Sequence, residues 1–380
     1  MKRKILITKT NNKVLTTIIE NSDIVEINCC KQADRSQYSL GNIYIGKVKK
    51  IISNINAAFI EVAKDVECYY KMQDEKLRIG DELVVQIAKE AMRGKAPSVT
   101  SKWTLPGQYV VLTVGESRIG ISTKIAREKR ADLRSLAKPC ATAEYGFIIR
   151  TNAAEVKWGE VAVELKSLIA KYQQIEMIKD KRTCYSCLYQ QPAAYLVNLR
   201  NVRRNSLEKI LVEDDNLYKQ ISSYLQEHQP DLQSFLKKYE DTAFPLDKLY
   251  SIGHVIEESQ KEKVWMKSGA YLMIQPTEAC TVIDVNSGKA IRKKDVTLRI
   301  NLEAAKEIAK QVRLRNLSGI ILVDFINSEN KEEIKTLLSE FAFLLKQDQV
   351  ETVLVGMTKL QLVEVTRKKI HKPLAESLKE

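Results

Sequence analysis

The chain has 380 residues, 44% hydrophobic and 29% charged, enough for a substantial core divided over roughly two to four folding units. Its formal net charge of +13 is spread among acidic residues rather than gathered in a tail, which favours a polyanionic partner, nucleic acid first and an anionic membrane surface second. The opening Met1-Lys-Arg-Lys and Ile5-Leu-Ile are too short for a signal peptide, no run is long enough to span a bilayer, and seven scattered cysteines read as reduced thiols; the expectation is a cytoplasmic chain.

Residues 1 to about 35 read as two or three short strands, Ile5 to Ile7, Val14-Leu15 and Ile18-Ile19, around the turn-like Asn11-Asn12. From about 36 to 115 the pattern is all β, with Ile43, Ile45 and Val48 alternating, then Ala58 to Val62, then Glu82 to Ile87 after Gly80-Asp81. Short strands at near-regular spacing predict a small barrel, of which the oligonucleotide-binding form is the commonest in RNA-related proteins. The aromatics Tyr44, Phe59, Tyr69 and Tyr70 read as exposed and are interleaved with Lys47, Lys49, Lys50, Lys71 and Lys95. Bases stack on aromatic faces while ammonium groups meet phosphates, so the mixture suits a single-stranded nucleic acid, although any one ring also suits the barrel core.

Residues 116 to 195 predict a helix through Ile125 to Leu136, a strand from Gly146 to Thr151 and a long helix from Glu155 to Gln174. Arg150 and Thr151 stand at a strand end, where a guanidinium and a hydroxyl can clamp a phosphate; a solvated or salt-bridged arginine is the commoner use of such a position. Cys184-Tyr-Ser-Cys187 has zinc-ligand spacing, but a tetrahedral structural site needs four Cys or His ligands and no second pair lies near. Residues 196 to 260 read as helical and polar, with Leu207, Ile210 and Leu211, then Ile221, Tyr224 and Leu225, at helical spacing. His228 and His254 have no visible partners, which counts against paired-histidine cleavage of RNA.

The most informative stretch runs from Cys280 to Asn327. In Thr281-Val-Ile-Asp-Val-Asn, strand alternation puts Asp284 and Asn286 on one face. A helix follows, with Asn301 as its N-cap candidate, Leu302, Ala305, Ile308, Ala309 and Val312 on its apolar stripe, and Glu303, Lys306, Glu307, Lys310 and Arg313 opposite. Ile320 to Ile326 then forms an apolar strand carrying Asp324. Strand, helix and strand make a crossover unit, so both strands are expected in one parallel sheet with Asp284 and Asp324 converging. Two carboxylates oriented by an amide suit Mg²⁺, which takes only one or two protein carboxylates and keeps several waters. A strand-end cap and a hydrogen-bonded acid explain the same residues, and spacing alone leaves both readings open.

The segments Gly41-Asn-Ile-Tyr-Ile-Gly-Lys-Val, Ala57-Ala-Phe-Ile-Glu-Val, Arg93-Gly-Lys-Ala-Pro, Gly120-Ile-Ser, Ile149-Arg-Thr, Val282-Ile-Asp-Val-Asn-Ser-Gly-Lys, Asn301-Leu-Glu-Ala-Ala, Gln311-Val-Arg-Leu-Arg-Asn-Leu and Val323-Asp-Phe-Ile stand in an order that resembles the ribonuclease E/G family. The resemblance covers nearly the whole chain. It implies a multidomain α+β fold: an RNase H-like domain in two parts, 1–35 and 196–260; an inserted OB-fold RNA-binding barrel, 36–115; a 5′-phosphate sensor region, 116–195; and a DNase I-like α/β catalytic region, 261–380. It further implies that Asp284 and Asp324 bind Mg²⁺ and Asn286 orients them, that Arg150, Thr151 and the backbone near Gly120 grip a 5′-monophosphate, and that Phe59, Tyr69 and Lys95 contact RNA. The implied reaction is hydrolytic cleavage of single-stranded, A/U-rich RNA in rRNA and mRNA processing and decay, leaving a 5′-phosphate and a 3′-hydroxyl.

The chain departs from the family pattern in places. Tyr69 stands where Phe is more frequent, the stretch between Gly288 and Asn301 is short, and Asn327 replaces a common second Asp. The chain reaches Glu380 without the zinc-bridging cysteine pair and small C-terminal domain of larger members, so a monomer or homodimer is expected rather than a zinc-linked tetramer. A non-catalytic RNA-binding or scaffolding homologue of the same fold is the alternative reading. A membrane-surface protein is a weaker third, with no amphipathic terminal helix to support it.

Overall fold

The computed structural model describes residues 2–10, 12–31, 39–73, 76–91, 95–202, 204–288 and 296–379. It divides into two compact units, one of residues 1–32 with 206–380 and one of residues 33–205. The first unit opens with an antiparallel meander, β1 (Arg3–Thr10), β2 (Lys13–Glu20) and β3 (Asp23–Lys31). Asn21 and Ser22 take positive φ between β2 and β3, the backbone twist that a tight hairpin needs.

In the second unit β4 (Ile43–Ile52), β5 (Ala57–Ala63), β6 (Val66–Lys71), β7 (Glu82–Lys89) and β8 (Ser98–Thr100) close into a five-stranded barrel in the order β4-β5-β6-β8-β7-β4. Closure pairs every edge of the sheet, and the interior is filled by Val48, Ile60, Val62, Cys68, Val85, Ile87 and Val99. Gly46 is required at the seam: a Cβ there would lie 2.5 Å from Ile60 Cγ2. The structure corrects two of the four aromatics read as exposed. Tyr44 and Tyr70 are only 3% and 2% exposed and belong to the barrel core; the Tyr70 hydroxyl stays paired with Ser101 Oγ at 2.8 Å.

Beyond the barrel come β9 (Thr104–Pro106), β10 (Val110–Val114), β11 (Ile119–Ile121), α1 (Arg127–Ala137) and β12 (Tyr145–Ile149), the strands forming a sheet in the order β11-β12-β10-β9. Against it packs α2 (Trp158–Lys179), whose Val161, Leu165, Leu168, Tyr172 and Ile175 recur at helical spacing and are all buried. The unit finishes with β13 (Cys187–Tyr189), paired to β4, and α3 (Ala194–Arg200).

Returning to the first unit, β14 (Leu207–Val212) pairs parallel to β1, with Ile5 opposite Ile210. Leu207, Ile210 and Leu211 are therefore strand residues, not the helical stripe their spacing suggests. Six residues are too few for periodicity to decide, and β1 offers an open edge to pair with. The true helix, α4 (Asp215–His228), starts where the Asp214 carboxylate caps the Leu217 N–H at 2.9 Å. After it lie β15 (Leu236–Lys238), α5 (Leu246–Tyr250) and α6 (Ile252–Gln260); β15-β14-β1-β2-β3 is the order of this sheet.

The last sheet is built from β16 (Lys263–Trp265), β17 (Tyr271–Pro276), β18 (Cys280–Asn286), then α7 (Val296–Leu314), β19 (Gly319–Asp324), α8 (Lys331–Leu345), β20 (Thr352–Met357) and β21 (Val363–Arg367), with α9 (Leu374–Lys379) last. Its strand order is β16-β17-β18-β19-β21-β20, with β18 and β19 parallel across the α7 crossover. Ile283, Val285, Ile321 and Val323 point into a core shared with Ala305, Ile308 and Phe341 of the helices. The alternate residues face away: Val282 is 37% exposed and Ile320 51%.

Two readings of α7 are corrected. The helix begins five residues before Asn301, which is buried within it and caps nothing at its start. Arg313, assigned to the solvent face, is 7% exposed and forks onto the Glu20 carboxylate with N···O distances of 3.2 and 3.0 Å, because α7 is covered on that side by the β1–β3 meander.

Candidate active site

Each carboxylate of the acidic motif owes its position to the alternation of an otherwise apolar strand. Ile283 and Val285 bury one face of β18, Ile321 and Val323 one face of β19, and the residues between them are turned to the open face. Asp284 and Asp324 are register partners in the parallel pair and both are half-buried. Asn286, two residues on from Asp284 and on the same face, donates from Nδ2 to Asp284 Oδ2 at 2.6 Å.

Like charges side by side on adjacent strands, about 5 Å apart, repel by roughly 1–3 kcal/mol at an effective dielectric between surface and water values. A dication would turn that repulsion into a binding contribution, and the donor set fits Mg²⁺, which uses one or two carboxylates and completes its shell with water. Among the described residues no third Asp, Glu, His or Cys joins the pair. Residues 289–295, the shortened stretch after Gly288, lie outside the described residues.

One supporting residue has a role other than the helix cap its position suggests. The Asn301 amide, inside α7, pairs both ways with the backbone of Ile326: Nδ2 donates to the carbonyl at 2.7 Å, and Oδ1 accepts the N–H at 3.1 Å. This fixes the segment leaving Asp324, as does Phe325, which packs edge-on to Phe341 with ring centroids 5.5 Å apart. Asn327 is exposed just beyond.

The second unit holds the remaining candidates. Gly120 of β11 is the register partner of Ile148 on β12, and Arg150 and Thr151 follow the end of β12 directly. Thr151 Oγ1 lies 2.8 Å from Ser122 Oγ, so these two hydroxyls and the β11–β12 strand ends meet. The Arg150 guanidinium points into the protein: Nη1 donates to the Gly107 carbonyl at 2.6 Å and Nη2 to Asn201 Oδ1 at 2.5 Å. Burial and then the neighbouring Arg200 push its pKa down to about 10, against an opposing pull from Glu164. Glu164 in turn accepts the backbone N–H groups of Gln108, Tyr109 and Val110 at 2.5, 2.7 and 2.9 Å, and a side chain at Gly107 would collide with it. Glu164, Arg200 and Asn201 were not singled out by sequence, since each reads as an ordinary polar helix residue.

On the barrel, Phe59 and Tyr69 are cross-strand partners, half-buried, with ring centroids 6.2 Å apart and planes near perpendicular. Lys95 is exposed, two residues before Pro97, whose carbonyl accepts the Tyr69 N–H at 2.8 Å. Arg93 and Gly94 of the neighbouring motif lie outside the described residues. Cys184 and Cys187 have thiols raised by burial, and their sulfurs approach the carbonyls of Ile45 and Tyr189. Among the described residues, no helix is long and apolar enough to cross a membrane.

The sequence profile of the Ribonuclease E/G family matches residues 104–370, which include Gly120, Arg150, Thr151 and the whole acidic motif. Ribonuclease G of Haemophilus influenzae is 30% identical over 401 residues, covering 99% of this chain and 81% of the relative. Ribonuclease G of Escherichia coli K12 is 30% identical over 405 residues, covering 100% and 82%. Ribonuclease E of a Nostoc species is 31% identical over 353 residues, covering 87% of this chain and 51% of that longer protein. With the profile spanning most of the chain and relatives matched along nearly all of it, the chain belongs to the ribonuclease E/G family.

Proposed function

We propose that this protein is a Mg²⁺-dependent endoribonuclease acting on single-stranded, A/U-rich RNA in rRNA and mRNA processing and decay, with preference for 5′-monophosphorylated substrates. The observation that carries the reading is the in-register pair Asp284 and Asp324, with the Asn286 amide fixed on one of them, in a chain of this family. The protein is expected in the cytoplasm. We assign its parts as an RNase H-like domain in two segments, 1–35 and 196–260, an OB-fold barrel at 36–115, a 5′-sensor region at 116–195 and a DNase I-like catalytic region from 261.

Asp284 and Asp324 are the proposed metal ligands. Bound there, Mg²⁺ would polarise the phosphodiester and acidify a water for in-line attack. Asn286 holds one oxygen of Asp284 in a hydrogen bond, which fixes the rotamer of that carboxylate. The water adds to phosphorus, the bond from phosphorus to O3′ breaks, and O3′ leaves as a hydroxyl, so the products carry a 5′-phosphate and a 3′-hydroxyl. The ribose 2′-hydroxyl is not the nucleophile. Arg150, Thr151 and the backbone near Gly120 are the proposed 5′-phosphate site, and Phe59, Tyr69 and Lys95 the proposed RNA contacts of the barrel, two rings for bases and an ammonium for phosphate.

The test is incubation with a 5′-monophosphorylated, A/U-rich RNA in Mg²⁺ or EDTA, beside Asp324→Asn and the double Asp284→Asn, Asp324→Asn protein. Cleavage should require both the metal and the carboxylates, while RNA affinity of the variants stays within about threefold. Cleavage by the double variant at the native rate would remove the pair from the active site. Tight binding with no cleavage under any condition would favour the scaffold.

A further inference from the structure

We infer that Trp265, Tyr271 and Lys263 form a base-stacking platform on the same open sheet face as Asp284 and Asp324, and that it seats a nucleobase of the RNA a few nucleotides from the bond being cut. The inference rests on the proposed nuclease site and extends it to substrate positioning.

The register of the sheet places the two groups together. Lys263 pairs with Met273, Met273 with Asp284, and Asp284 with Asp324, in one row across four strands; Trp265, Tyr271 and Asn286 form the next row. Directly paired residues share a face, so the platform lies on the side that carries the carboxylates, one strand from Asn286 at Tyr271 and two at Trp265. With strands about 4.8 Å apart and successive same-face rows about 6.8 Å apart, the Trp265 position is roughly 12 Å from that of Asp284 and roughly 16 Å from that of Asp324, within reach of a base a few nucleotides along the same RNA strand.

The core does not account for this tryptophan. Val264 and Met266, its neighbours in sequence, supply the core contacts of this edge, while Trp265 remains 63% exposed, a large apolar surface left in water. What it touches is aromatic and cationic. Its ring meets Tyr271 edge-on with centroids 5.1 Å apart, and the Lys263 ammonium stands 4.0 Å from the indole centroid and 3.9 Å from the phenol centroid. A rigid ring that is more than half exposed and carries a cation over it is the combination that binds a base by stacking and its phosphate by charge. A protein partner would use the same apolar area but has no need of the cation or of the carboxylate row.

Two measurements test the platform. Trp103 is 3% exposed and Trp158 partly buried, so Trp265 is the tryptophan emission most open to a ligand. In the uncleaving Asp284→Asn, Asp324→Asn protein, a short A/U-rich RNA should quench that emission, the same backbone without bases should not, and adding Trp265→Phe should abolish the change. In the cleaving protein, Trp265→Ala should raise KM about five- to a hundredfold with kcat within about threefold, and Trp265→Tyr should restore KM. Equal quenching by the baseless strand, or a Trp265→Ala enzyme with native KM, would overturn the platform while leaving the nuclease site intact. If the native protein cuts no RNA, the nuclease reading fails, and the quenching experiment still decides the platform by itself.

Discussion

At the scale of single residues, the two candidate chemistries differ in how much of their geometry is already in place. The acidic pair is assembled by strand register, and its side-chain partner Asn286 was legible from spacing because period-two alternation is a strong local rule. Arg150 was legible as a strand-end arginine, but its inward hydrogen bonds to Gly107 and Asn201 were not, since these partners lie 43 and 51 residues away. Those bonds make Arg150→Ala a mixed lesion, because truncation also strips a partner from two polar groups. The informative readout is therefore a ratio. Arg150→Ala should lower the ratio of 5′-monophosphorylated to 5′-hydroxyl RNA cleavage about tenfold or more, because a structural defect weakens both and cancels in the ratio. An unchanged ratio would show that Arg150 does not sense the 5′ end.

Elements were read best where the pattern was long and worst where it was short. The barrel strands and the apolar stripe of α7 obey strong periodicities, whereas β14, six residues with helix-like spacing, takes its state from pairing with β1. Arg313 failed for a related reason: one charged residue on a helix face gives no sign that another sheet covers it. Its partner Glu20, 3% exposed, also accepts from Arg3 at 2.8 Å, so one carboxylate ties α7 to the meander. Burial alone would raise the Glu20 carboxyl, but the hydrogen bonds and charges of Arg313 and then Arg3 outweigh it and hold the group below its ordinary value of 4.5. A carboxyl depressed in the folded state stabilises fully above that ordinary value and loses the contribution as pH falls through the lower folded value. Glu20→Gln should therefore cost about 3–5 kcal/mol in urea unfolding at pH 7, with the gap to the native protein narrowing below pH 4.5. A gap that stays constant across the acid range would show that the ionised carboxylate is not what holds the element.

Over the whole molecule, the link between the first strands and residues 206–380 could not be derived from local spacing. Ile5 finds Ile210 on the other side of an inserted barrel, and only the ordered motifs hinted at such a discontinuity. Net charge is legible at this scale and makes a prediction that separates contact types. Each phosphate neutralised by Lys or Arg releases counterions, so log affinity for single-stranded RNA should fall linearly with log salt, with a slope of about −0.7 per contact. With a net charge of +13, several contacts are expected and the native slope should be steep. Lys95→Ala should flatten it by roughly 0.7, whereas Phe59→Ala should weaken binding about five- to a hundredfold with the slope unchanged, because stacking releases no counterions. A flat native response would contradict the charge argument, and an equal effect of both substitutions on the slope would mean that ammonium and ring do not divide the work between phosphate and base.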